Sequence, residues 1–133
     1  MLRRGLDAAV DKAALHHALG LNLARQKRTA AALRELKMSV ELAPGSTRYA
    51  YVYGVGLLSS GKPGAALTIF EAALARRPAD RELLIALATT NRDLGRLDRA
   101  RAYARRLVEA APGDPGAKQL LEQLEAIPRR DGN

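Results

Sequence analysis

The chain has 133 residues, a formal net charge of +8, 47% hydrophobic but only 4% aromatic residues, and no cysteine. That length is one domain's worth of core, and without thiols there are no disulfides, zinc–thiolate sites, thiol nucleophiles or covalently attached haem. Leucine and alanine alternate with Arg, Glu and Lys at helical spacing, which predicts an all-helical chain. No apolar run reaches the roughly 20 residues that a bilayer requires, and MLRRGLDAAVDKAAL lacks the apolar stretch of a signal peptide, so the chain is expected to be soluble and, by default, cytoplasmic.

In chain order, residues 1–12 read as an N-terminal extension, and Asp7 to Gln26 as one extended first helix capped by Asp7. His16 and His17 lie within it; adjacent helical residues point about 100° apart, so the pair is unsuited to chelating one metal, and packing is the expected role of His16. A turn is expected at Lys27, then a second helix ending before Pro44, with Ser46 as the next cap. YAYVYGVGL, residues 49–57, favours a strand by propensity, yet it falls where a helix is due. Turns are expected at Gly61 and Gly95, caps at Asp80 and Asp114, and Pro115 in the first turn of a last helix. That helix, 115–127, can present Leu120, Leu121, Leu124 and Ile127 to its neighbour and Lys118, Glu122, Gln123 and Glu125 to water, and RRDGN reads as a frayed tail.

The strongest regularity is internal. Pro44, Pro78 and Pro112 stand at intervals of 34, after SVELAPGS, AALARRPAD and LVEAAPGD. A shift of 34 also aligns Leu19-Gly20 with Tyr53-Gly54 and Leu87-Ala88, and Ala32 with Ala66 and Ala100. With Leu23 and Leu57, with Leu36, Phe70 and Ala104, and with the closing prolines, this pattern resembles the tetratricopeptide repeat. The resemblance implies a single domain over 1–133, an all-α, right-handed α-solenoid of three helix-turn-helix units at about 13–46, 47–80 and 81–114, a capping helix at 115–127 and a tail at 128–133. It places Gly54 against Ala66 and offsets the cost of the glycines by packing between helices. ALHHALGLNLARQ, RYAYVYGVGL and APGDPGAKQLLEQL are also similar to the C-terminal repeat region of longer bacterial proteins, some with a multihaem cytochrome portion, which implies export if the chain is part of such a protein.

The family's groove-facing positions fall on His17, Leu21 and Arg25, with Ala14 and Ala24, in the first copy; on Arg48, Tyr51, Val55 and Leu58, with Ser59, in the second; and on Glu82, Ile85, Thr89 and Arg92, with Asp93, in the third. The expected function is therefore a non-catalytic scaffold holding a partner's peptide or helix, with Tyr51 as anchor and the arginines available for carboxylates. A continuation of the core is the plain alternative for the apolar members. The places of the family's chaperone-carboxylate clamp hold His17, Leu21, Val52, Glu82 and Ala86, so that clamp is absent. Two other roles stay open: self-association or stacking through the N-terminal side of the first helix, and anion or nucleic-acid binding by Arg96, Arg99, Arg101, Arg105 and Arg106, which read first as a solvated helix face. Glu35 with Lys37 and Asp93 with Arg92 and Arg96 read as ordinary surface charges. No catalytic constellation, metal site or cofactor motif is predicted.

Overall fold

In the computed structural model, which describes residues 2–128 and their side chains from Ala8 onward, two compact units divide the chain at Arg76 and Arg77. The described residues form seven α-helices and no strand. The first unit holds α1 (Leu2–Arg25), α2 (Thr29–Leu42), α3 (Thr47–Ser59) and α4 (Pro63–Arg76). The second holds α5 (Arg81–Asp93), α6 (Leu97–Ala110) and α7 (Pro115–Glu125). Consecutive pairs α1–α2, α3–α4 and α5–α6 are helical hairpins, one in each 34-residue copy, and α7 packs on α6. The helix expected to start at Asp7 starts at Leu2, so the backbone at residue 7 is helical rather than a cap. RRDGN lies outside the described residues.

The same local chemistry recurs at each boundary. Within each hairpin the first helix ends on a residue of positive φ: Lys27 at 61°, Gly61 at 75° and Gly95 at 77°. The following amide then bonds back five residues, Arg28 to the Leu23 carbonyl, Lys62 to Leu57 and Arg96 to Asn91, closing the turn that satisfies the helix's last carbonyls. Glycine adopts this conformation without a Cβ penalty, whereas Lys27 carries that cost in the first copy. Between hairpins, the side chains of Ser46 and Asp80 accept from the amides of Tyr49 and Leu83. Asp114 does the same for Gly116 and Ala117 and also accepts from Arg81 Nε at 2.6 Å. The Arg81 hydrogen bond is the main reason that its carboxyl lies below the ordinary carboxylate value.

Tight helix pairing explains why YAYVYGVGL is helical. A Cβ on Gly54 would lie 2.3 Å from Cε1 of Phe70, a fully buried ring on α4. The side chain nearest to Gly54 is therefore that of Phe70, on the same helix as the expected and fully buried Ala66. A Cβ on Gly20 would likewise lie 2.6 Å from Cδ2 of Leu36 on α2. In the third copy the pair becomes Ala88 and Ala104, both fully buried, and Leu124 of α7 joins their cluster. The smaller pair of the third copy is filled in by Leu124 from the neighbouring helix, so the core stays close-packed. The apolar face expected of α7 is present, with Leu120, Leu121 and Ile127 partly buried around that cluster.

Gly54→Ala is expected to destabilise the first unit by about 1–3 kcal/mol through overpacking, against a propensity gain of about 1 kcal/mol. Gly64→Ala, where a Cβ meets nothing within 4 Å, serves as the helix-propensity control and should be neutral or stabilising. Equal shifts of the urea midpoint in the two variants would refute the packing account.

Candidate functional site

On α1, His17, Leu21 and Arg25 follow one another at four-residue spacing, which puts them on one helix face. On α3, Arg48, Tyr51, Val55 and Leu58, spaced three, four and three residues apart, also share one face. The first unit brings the two lines together at one end, where the His17 ring stacks on Tyr49 with centroids 4.5 Å apart. Arg48 is close enough there to disfavour a proton on His17. Leu21 and Leu58 are half-buried, Val55 is exposed, and Arg25 and Arg48 reach solvent. Tyr51 is only partly available as an anchor, because its ring also packs at 6.1 Å against Phe70.

In the second unit, Ile85 and Thr89 are half-buried on α5, and Thr89 Oγ1 donates to the Ile85 carbonyl at 2.9 Å. Glu82 is exposed, and Arg92 donates to Asp93 at 3.1 Å, as the sequence suggested. Two residues that the reading of the groove missed bear on it. Tyr49 holds His17 in place, and Glu35, expected beside Lys37, instead pairs across the first hairpin with His16. Among the described residues no cluster of His, Asp and Glu could hold a metal ion, and no helix is long and apolar enough to cross a membrane.

The arginine run differs from its expectation at one residue. Arg96, Arg99, Arg105 and Arg106 are exposed, but Arg101 is only 5% exposed. Its guanidinium donates to the carbonyls of Leu124 at 3.0 Å and Ile127 at 2.7 Å, so it holds the C-terminal end of α7 against α6. A shift of 34 would have shown this, because Arg101 stands where Leu33 and the buried Leu67 stand in the earlier copies. A cleft of about 700 Å³ lies beside it, between the α5–α6 turn and the end of α7. Four arginines (92, 96, 99 and 101) and two aspartates (93 and 98) line it, a local excess of two positive charges.

The fold is a run of helical hairpins that repeat at a fixed interval, the class of repeat protein that typically presents extended binding surfaces. The family model of the tetratricopeptide repeat matches residues 57–124, over half of the sequence, and the chain belongs to that family. No curated protein matches it. Among solved structures it is similar to the first TPR of Spaghetti (RPAP3) bound to an HSP90 peptide, with TM-score 0.76 and 16% identity over 87% of this chain and 92% of that one. It is similar also to the Yersinia enterocolitica type III secretion chaperone SycD in complex with a peptide of the translocator YopD, with TM-score 0.75 and 14% identity over 86% and 93%. A third is PcrH in complex with the chaperone-binding region of PopD, with TM-score 0.70 and 21% identity over 87% of each chain. At these identities the likeness is one of fold.

Two outcomes test the roles assigned above. Burial, and then the nearby Arg48, hold the pKa of His17 below its ordinary 6.5. The unfolded chain therefore binds the proton more readily. The stability contributed by neutral His17 is complete above 6.5 and is lost as pH falls through the folded value. His17→Phe, which keeps a ring on Tyr49, should flatten the fall in urea stability on acidification, and an unchanged slope would refute the assignment. Arg101→Met should lose two charge-assisted hydrogen bonds, each worth about 1.5–3 kcal/mol, and speed amide exchange in α7. Arg99→Met should leave exchange there unaltered.

Proposed function

We propose that this tetratricopeptide-repeat chain is a non-catalytic interaction scaffold that binds a peptide or helix of a partner protein along the first helices of its hairpins. The observation that carries the reading is the apolar line on α3. Val55 is 37% exposed and Tyr51 and Leu58 are half-buried, even though α3 already has a buried seam of Ala50, Gly54 and Leu57 facing α4. Val55 and Leu58 lie outside that seam and are available to a partner, and Tyr51 is available in the part of its ring that Phe70 leaves uncovered. Leu21 on α1 continues the same repeat position and His17 completes the proposed site of the first unit, while Glu82, Ile85, Thr89 and Arg92 on α5 are the corresponding positions of the second unit.

The flanking charge states what the ligand should look like. Arg25 and Arg48 lie on the lines that carry Leu21 and Val55, so a segment with spaced apolar side chains and nearby carboxylates fits best. Two of the structural relatives are chaperones in complex with a translocator peptide or binding region, and a third holds a chaperone peptide. That precedent supports peptide binding as the activity and leaves the ligand of this chain to be identified by its own surface.

An array of immobilised peptides varied in apolar spacing and acidic content tests the proposal. Val55→Glu should weaken the best ligand by at least about tenfold, as expected of a residue at the centre of an interface, with helicity unchanged by circular dichroism. Arg96→Glu/Arg99→Glu should leave it bound. Loss only in the arginine variant, together with release at modest salt, would instead identify an electrostatic binder.

A further inference from the structure

The first helix has an outward side that the rest of the first unit leaves bare. Leu15 is 58% exposed and Leu19 41% exposed, and Ala8, Lys12 and Asn22, also exposed, continue the line. The 34-residue repeat shows how such a side is used elsewhere in this unit. The equivalents of Leu15, Leu19 and Asn22 on α3 are Tyr49, Tyr53 and Gly56, and the first hairpin covers that side. His17 stacks on Tyr49, and a Cβ on Gly56 would lie 3.2 Å from Cδ2 of Leu33 on α2. On α1 the same side therefore has the position of a helix-packing surface without its helix.

A preceding hairpin cannot supply that helix through the connection used elsewhere in the chain. Hairpins join through the non-helical segments 43–46 and 77–80, and the corresponding residues one repeat earlier are 9–12. These lie inside α1, which runs unbroken from Leu2 to Arg25. The cover must reach α1 by another route.

We propose that the cover is α1 of a second copy, packed antiparallel to form a two-fold dimer. Ala8, Lys12, Leu15, Leu19 and Asn22 are spaced four, three, four and three residues apart, the seam of a paired helix. Centring the two-fold axis at the level of residue 17 sets Leu15 against Leu19 of the other copy twice, and lets the Lys12 ammonium donate to the side-chain carbonyl of Asn22. Asp11 and Arg25, both exposed and on the same flank of that seam, then come within reach of each other across the pair twice. This pairing matches opposite charges on the same side of the seam, and complementary flanking charges select orientation in paired helices. The interface is self-complementary, as a two-fold contact must be. Its leucine seam lies on a side of α1 other than the line of His17 and Leu21, and Arg25 is the one residue that the two surfaces share.

Light-scattering mass across a concentration series tests it on the full chain. The mass should rise from 14.3 kDa toward twice that value with concentration. Leu15→Glu/Leu19→Glu should hold it at the monomer value with helicity intact. Asp11→Arg should raise the dissociation constant by about tenfold, the effect of like charges placed opposite each other, and Asp11→Arg/Arg25→Asp should restore it. A monomer at every concentration, or a dimer unaffected by the leucine changes, would overturn the proposal. A dimer that the charge exchange fails to restore would overturn the antiparallel arrangement. Retained peptide binding by the leucine variant would separate this surface from the groove.

Discussion

The closeness of the two helices within each hairpin governs the rest of the structure. It is set where one side chain on the second helix meets a small residue on the first: Leu36 over Gly20 and Phe70 over Gly54. A methyl group at either glycine would overlap the facing side chain, so the hairpin exists in this form only if that position carries nothing. The cost of glycine in a helix, about 1 kcal/mol relative to alanine, is offset by the area the close approach buries. In the third copy the arrangement is relaxed on both sides at once, with Ala88 facing Ala104 and Leu124 filling the remaining space. What repeats is the close approach of the two helices rather than the residue at either place.

The departure in the third copy follows from what lies next to it. There the partner of α6 is α7, a single helix whose last turn brings carbonyls without amide partners of their own. Arg101 replaces the leucine of the earlier copies and reaches two carbonyls at the end of α7. Its aliphatic stem fills the space of the leucine while its head supplies the missing donors. A residue that looks like one more positive charge in an arginine-rich run is thus part of how the second unit holds its closing helix.

Interaction is the natural use of such an architecture, because the core of the first unit leaves one side of its helices α1 and α3 uncovered. In the first unit, α3 spends Ala50, Gly54 and Leu57 on α4 and Tyr49 and Gly56 on the hairpin before it, and still has Val55 and Leu58 on a third side. The comparison of α1 with α3 is informative for the same reason. The two occupy equivalent places in successive copies, but one of the sides that α3 buries is bare on α1, where Leu15 and Leu19 are exposed. Charge then adds to the distinction: Arg48 beside the proposed peptide line favours carboxylates, whereas Asp11 together with Arg25 on α1 favours a copy of the same helix.

The sequence by itself determined the period, the helical hairpins, their turns at Lys27, Gly61 and Gly95, their caps at Ser46, Asp80 and Asp114, and the apolar face of α7. Each of these is a local matter, settled by backbone conformation, by orphaned amides at a helix start or by the alternation of apolar residues within one helix. The candidate groove was legible only as positions implied by the repeat; the structure adds that Tyr51 shares its ring with Phe70 and that His17 rests on Tyr49. Tertiary structure alone decided the partner of Gly54, the pairing of Glu35 with His16, the burial of Arg101 and the extension of the first helix back to Leu2. The reason is that these depend on which atoms face one another across separate helices, and a periodic sequence specifies the face of a helix without specifying the side chain it will meet.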